Sequence, residues 1–188
     1  MTPTTASAHG SGPDTRTLRR LTAVAAGALA LGYLPMARWE RRMRATGGPG
    51  IVGLQLACDA TEAHDILATW GPEGRRAATA QTWADFAWMH TYGLTGALLV
   101  ELARGRAPAS SAWASTGRAV RWLPYAAVAF DVAEGVGQLR TLRAWPGVDE
   151  AAVSTTRRAA TVKYALLAAA AGWSVGAVAL GGRRPGGR

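Results

Sequence analysis

The sequence predicts an all-α fold, a four-helix transmembrane bundle with an amphipathic surface helix between the first two spans. Two observations carry that prediction. Four apolar stretches, about residues 18–37, 78–103, 119–142 and 159–182, each approach the roughly 20 residues that cross a hydrocarbon core of about 30 Å, and most basic residues fall between them or at their ends. The third stretch, mostly apolar, carries Asp131, Glu134 and Gln138 at i, i+3 and i+7, which puts them on one helix face. Two carboxyls against lipid would be costly, so the other helices must be arranged to receive that face.

The net charge of +9 raises the question of nucleic acid, and the placement of the charges answers it. Arg16, Arg19 and Arg20 precede the first span, Arg38, Arg41, Arg42 and Arg44 follow it, and Arg183, Arg184 and Arg188 follow the last. No single basic stripe and no aromatic-studded basic segment forms, so the expected partner is the lipid bilayer and not nucleic acid. Anchoring to anionic headgroups accounts for flanking arginines. A homo-oligomer or a larger membrane complex stays open. Lys163 is the only lysine among 21 basic residues, an arginine bias that, with the Ala and Gly content, suggests a GC-rich bacterial genome and a multi-pass protein of the inner (plasma) membrane. Cys58 is the only cysteine, so no internal disulfide is possible.

Along the chain, residues 1–17 are rich in Thr, Ser, Ala, Gly and Pro without hydrophobic periodicity and read as a disordered tail; residues 183–188 read as a basic tail. Residues 18–182 form the membrane domain. A cleavable signal is the rival reading of the first span, but Arg38, Arg41, Arg42 and Arg44 stand where a cleavage site wants small residues and few positive charges. Gly47-Gly48-Pro49-Gly50 breaks the chain. Residues 51–70 then read as one or two amphipathic helices, restarting near Asp59 and lying on the membrane surface or over the bundle. Leu54, Ala57 and Cys58 share one face, and Ala63, Ile66, Leu67 and Trp70 another. Cys58 is expected as a small buried apolar residue. Gly71-Pro72 ends the segment.

The second span places Asp85, Trp88, Met89, Tyr92 and Thr95/Gly96 on one face, with Ala87, Leu94 and Leu98 outward. A short loop from Arg104 to Arg118 leads to the third span. After it, Asp149 and Glu150 suit the first turn of a helix that runs through Arg157 and Arg158 into the fourth span. Gly172 and Gly176 there form a small-xxx-small pair, the kind that lets a neighbouring helix approach, although Ala/Gly-rich composition alone produces such pairs.

Depth brings the polar groups together. At about 1.5 Å per residue, Asp85 lies about 9 Å in from its entry, Glu134 about 12 Å, Asp131 about 16 Å and Lys163 about 6 Å, all in the same half of the bilayer. Lys163 is within reach of Glu134 or Asp85, Tyr92 is deeper, Gln138 shallower, and the 51–70 segment is on the same side as a cover. Three carboxyls face one lysine, so a dry site holds at least one proton. The candidate site residues are therefore Asp85, Asp131, Glu134, Lys163 and Tyr92. Such a cluster serves either of two classes. It locks the bundle of a structural or complex-forming membrane component, which is the leading expectation, or it forms an intramembrane site for proton-coupled transport or acid/base chemistry.

Other signals are weak. His90 falls about 140° around the helix from Asp85 and points to another helix or an interface, while His64 reads as part of a solvated face. No His or Cys spacing suits a metal, no glycine-rich loop suits a phosphate, and no cofactor or metal is expected. A carboxylate-only metal site is the remaining, weaker alternative.

Ile66-Leu67-Ala68-Thr69-Trp70-Gly71, then Trp83-Ala84-Asp85-Phe86 with Tyr92, then Asp131-Val132-Ala133-Glu134, then Lys163 opening the last span, resemble the motifs of a group of small, uncharacterised four-span bacterial membrane proteins. The resemblance runs roughly from Gly50 to Gly176. It implies the four-span architecture and a shared polar cluster, and no activity. The chain departs from the pattern at Gly135, where Asn is expected after the Glu.

The arginines that flank the spans divide equally between the two sides, so the positive-inside rule leaves the orientation open. Cytoplasmic N- and C-termini are expected because even-span proteins with short tails usually sit that way.

Overall fold

A computed structural model describes residues 14–107 and 111–181. Most of the tail expected over residues 1–17, and the basic tail at 183–188, lie outside the described residues. Six helices follow one another: α1 (Thr15–Ala45), α2 (Ile51–Gln55), α3 (Ala60–Arg104), α4 (Ala112–Val120), α5 (Leu123–Ala144) and α6 (Glu150–Gly181). The fold is all-α, with no strand among the described residues.

Helix α3 is the axis of the arrangement: α1 packs on one side of it, and α5 and α6, themselves closely paired, pack on the other. The α5–α6 approach is close because Gly137 has no side chain. A Cβ there would meet Thr156 Oγ1 and lie 3.2 Å from the carbonyl of Ala152. The expected small-residue contact in α6 falls elsewhere, since Gly172 has nothing near it and Gly176 accommodates the ring of Trp113 from α4.

Two helices, α1 and α6, are long and apolar enough to cross a membrane. Of their most apolar windows, only 17% and 11% is buried by the rest of the protein, so these are not the enclosed core helices of a water-soluble domain. Leu21, Val24, Leu31 and Leu34 of α1 and Val175 and Leu180 of α6 are exposed.

Several boundaries differ from the sequence reading, each for a local reason. Thr15 to Thr17 belong to α1 and not to a tail. The segment 51–70 divides in two, as the restart at Asp59 suggests: Asp59 Oδ1 accepts from the Glu62 N–H at 2.8 Å, and Glu62 Oε2 accepts from the Cys58 N–H at 2.7 Å, a reciprocal cap of the kind that starts helices. Cys58 lies in this link and is exposed, which corrects its expected burial.

Of the two placements expected for 51–70, its apolar face takes the one over the bundle, while Thr61, Glu62, Asp65 and Thr69 on the other face are exposed. Ile51, Leu54, Ala63, Ile66, Leu67 and Trp70 join Met43, Leu142 and Val153 in the main apolar core, so the segment is packed over the end of the bundle. Trp70 also donates from Nε1 to the Pro49 carbonyl at 2.7 Å. Gly71, at φ 57°, ψ −169°, occupies a conformation open to glycine, and Pro72 restarts α3 at once.

The stretch from Arg104 to Arg118 is not wholly a loop. It contains α4, whose Ser111 hydroxyl caps the Ala114 N–H. The third long helix begins at Leu123 and not at residue 119 because Arg121 and Trp122 form a turn. Pro124 in the first turn of α5 suits a helix start, and Arg121 is held 3.2 Å from Glu101 of α3.

Candidate functional site

The face of α5 that carries Asp131, Glu134 and Gln138 is turned inward, and all three are buried. Asp131 stands at a three-helix junction. Its Oδ1 accepts from Lys163 Nζ of α6 at 2.8 Å, and its Oδ2 accepts from the Tyr92 hydroxyl of α3 at 2.7 Å. Lys163 Nζ also sits 2.7 Å from Glu134 Oε2, an ion contact without hydrogen-bond directionality. One turn of α5 thus presents two carboxylates to a single ammonium, and the Lys163 side chain is only 7% exposed.

A cavity of about 680 Å³ opens beside this junction. Asp131, Lys163 and Tyr92 line it, together with Asp85, Gln81 and Trp88 of α3. Helix α1 contributes Tyr33 and Met36, and α2 contributes Ile51, Val52 and Gln55. The 51–70 segment therefore does cover the site, through α2. The Tyr164 hydroxyl of α6 donates to Gln55 Oε1 at 2.9 Å, which ties the cover to the helix that bears Lys163.

Asp85, the other acid expected within reach of Lys163, lines the same cavity but does not pair with the lysine. It is half-buried and has no hydrogen-bond or ion-pair partner among the described residues. The cause is geometric: Lys163 is taken by Asp131 and Glu134, both on the helix packed tightly against α6. Three of the four candidate charges pair, and the fourth faces open space.

The wall formed by α1 was not legible as part of the site. The Trp88 indole donates from Nε1 to the Leu29 carbonyl at 3.0 Å and packs on Gly32, where a Cβ would overlap its ring. Glu40 Oε2 accepts the Ile51 N–H at 3.0 Å and Glu40 Oε1 pairs with Arg44 at 2.8 Å. The Trp88–Leu29 bond anchors α1 to α3, and the Glu40–Ile51 bond anchors α1 to the start of α2. Gln81, four residues before Asp85, could have been found by the same helix-face spacing that grouped Asp85, Trp88 and Tyr92.

The remaining candidates fall outside the site. His90 is exposed on the outer face of α3. His64 is partly exposed beside Asp65 and stacks on Trp145 with ring centroids 4.6 Å apart. Among the described residues no group of three or more His, Cys, Asp or Glu side chains is arranged to hold a metal ion. Gly135 packs against the Phe86 ring, 2.9 Å from where a Cβ would be, so an Asn there would have to displace Phe86.

No protein-family model, curated protein or solved structure matches the chain.

Proposed function

We propose that the chain is a four-span protein of the bacterial plasma membrane in which α3, α5 and α6 enclose an intramembrane site that binds and releases a proton together with a ligand in the cavity. The crossing of α3 and α5 rests on what their polar residues face. Asp131 and Glu134 are 2% and 1% exposed, whereas Phe130, Val132 and Val136 of α5 and Leu94 and Leu99 of α3 are exposed. A hydropathy window counts the buried charges as though lipid met them; apart from His90, these outward residues are apolar, as a span requires. The motif resemblance to four-span bacterial proteins belongs to the same proposal.

The single observation that carries the functional part is Asp85, a carboxyl without a partner on the wall of a cavity of about 680 Å³. Ionisable residues inside a membrane are costly and mark pathways, relays or ligand sites. The structural reading keeps its own support in the Lys163, Asp131 and Glu134 group, whose charges are bound to one another across α5 and α6. That group is the frame, and Asp85 is the working group.

Infrared spectroscopy of the protein in lipid nanodiscs tests the division. The protein should show a carboxyl C=O band that comes and goes with pH, and Asp85→Asn should remove that band while leaving helix content and melting temperature unchanged. A band that persists in Asp85→Asn would assign proton exchange to another group and overturn the proposal.

A further inference from the structure

The atoms that lack partners in the cavity indicate what it takes. Besides the Asp85 carboxyl, Gln81 Oε1 and Gln138 Nε2 lack a hydrogen-bond partner, and both side chains line the cavity. Gln138 is only 2% exposed, so no solvent compensates it.

The Gln138 amide oxygen accepts from the Thr82 hydroxyl at 3.0 Å, which leaves Nε2 as its unpartnered end. The unpartnered acceptors are then the Asp85 carboxylate and the Gln81 amide oxygen, on a cavity whose lysine is already neutralised by two carboxylates.

Aromatic rings complete the wall. Tyr33, Trp88 and Tyr92 form a continuous series, with centroids 6.3 Å and 5.9 Å apart, and π faces attract cations. Helices α1 and α6 both line the cavity but are not among the closely packed helix pairs, which leaves the space between them as the way in. Tyr33 on α1 and Tyr164 on α6 are 56% and 39% exposed there. If α1 and α6 cross the bilayer, that opening faces acyl chains.

We infer that the cavity binds an amphiphile headed by a primary ammonium, which enters from the bilayer between α1 and α6, donates its N–H groups to Asp85 and Gln81, and lays its alkyl chain along Tyr33, Met36 and Leu167. This rests on the reading of Asp85 as the working carboxyl in a membrane-embedded cavity. A primary ammonium is specified because only N–H donors satisfy both acceptors; a quaternary ammonium offers charge alone.

The test titrates dodecylamine, dodecyltrimethylammonium and dodecanol into the protein in nanodiscs, with binding read by native mass spectrometry. Dodecylamine should bind most tightly, and Asp85→Asn should weaken it about tenfold or more, as loss of a charge-assisted hydrogen bond does. Gln81→Leu should weaken it less, and it decides the question should Asp85→Asn fail to fold. Equal binding of dodecylamine to the wild type and to either folded variant would overturn the inference, as would dodecanol binding as tightly as the amine. The infrared titration of Asp85 separates the two proposals. A titrating band without amine binding removes this inference alone, and amine binding without a titrating band removes the proton exchange alone.

Discussion

The ammonium of Lys163 lies 2.8 Å from the Asp131 carboxylate, and both groups are buried, on helices that reach this point from opposite ends of the α5–α6 pair. Glu134 holds the same ammonium from the next turn of α5 at 2.7 Å. Removal of one partner from a buried ion group leaves charge without compensation and typically costs about 3–5 kcal/mol. Lys163→Met should therefore destabilise the bundle by about that amount. The sign of the pH dependence follows: the variant's cost is repulsion and desolvation of two carboxylates, which protonation relieves, so the loss should be largest near about pH 8 and shrink toward about pH 5. Thermal unfolding in detergent at several pH values measures it, and a loss independent of pH would contradict the pairing.

Adding Glu134→Gln to Lys163→Met should recover part of the stability, because one of the two uncompensated carboxylates is gone. Contacting residues couple in this way, by about 0.5–3 kcal/mol. Strict additivity of the two single losses would show that Glu134 and Lys163 do not share one electrostatic unit.

Tyr92→Phe removes one hydrogen bond and almost no volume. The hydroxyl donates to buried Asp131 Oδ2 at 2.7 Å, so the variant should lose about 1.5–3 kcal/mol, the range for bonds to charged groups. A double-mutant cycle with Asp131→Asn isolates the contact; a coupling energy near zero would place the hydroxyl elsewhere.

Much of this site is legible in the sequence. The i, i+3, i+7 spacing of Asp131, Glu134 and Gln138, and the grouping of Ala63, Ile66, Leu67 and Trp70, both follow from 3.6 residues per turn, and the structure buries every one of these residues. Pairing of charges was less legible. Depth along a span locates Asp85 and Asp131 to a similar level, but which carboxyl wins Lys163 depends on which helix packs nearest α6, and that is decided by contacts such as Gly137 on Thr156. The wall from α1 carried no polar signature: Gly32 and the Leu29 carbonyl enter the site only through the Trp88 side chain that reaches them. Cys58 failed for a related reason, since a helix-face argument does not apply at a link between helices.

Trp70→Ala tests the cover over the bundle. The side chain is 1% exposed, within the cluster of α2, α3, α5 and α6 residues that closes this end of the protein. Truncation should cost about 3–5 kcal/mol and should also loosen the α2 wall of the cavity. Hydrogen exchange of residues 51–70 checks the second effect; unchanged protection there, with global stability lost, would show that α2 is held by other contacts.

An intramembrane site requires α3 and α5 to cross the bilayer with α1 and α6, and cysteine accessibility in intact cells decides it. With Cys58 replaced by Ser, single cysteines at Arg44, Glu73, Arg106 and Asp149, all exposed, are labelled with a membrane-impermeant maleimide before and after permeabilisation. Four spans place the cysteines at Arg44, Glu73 and Asp149 on one side and the cysteine at Arg106 alone on the other. Labelling of Arg106→Cys from the same side as Glu73→Cys and Asp149→Cys would mean that only α1 and α6 cross, and would contradict an intramembrane site built on Asp85 and Asp131.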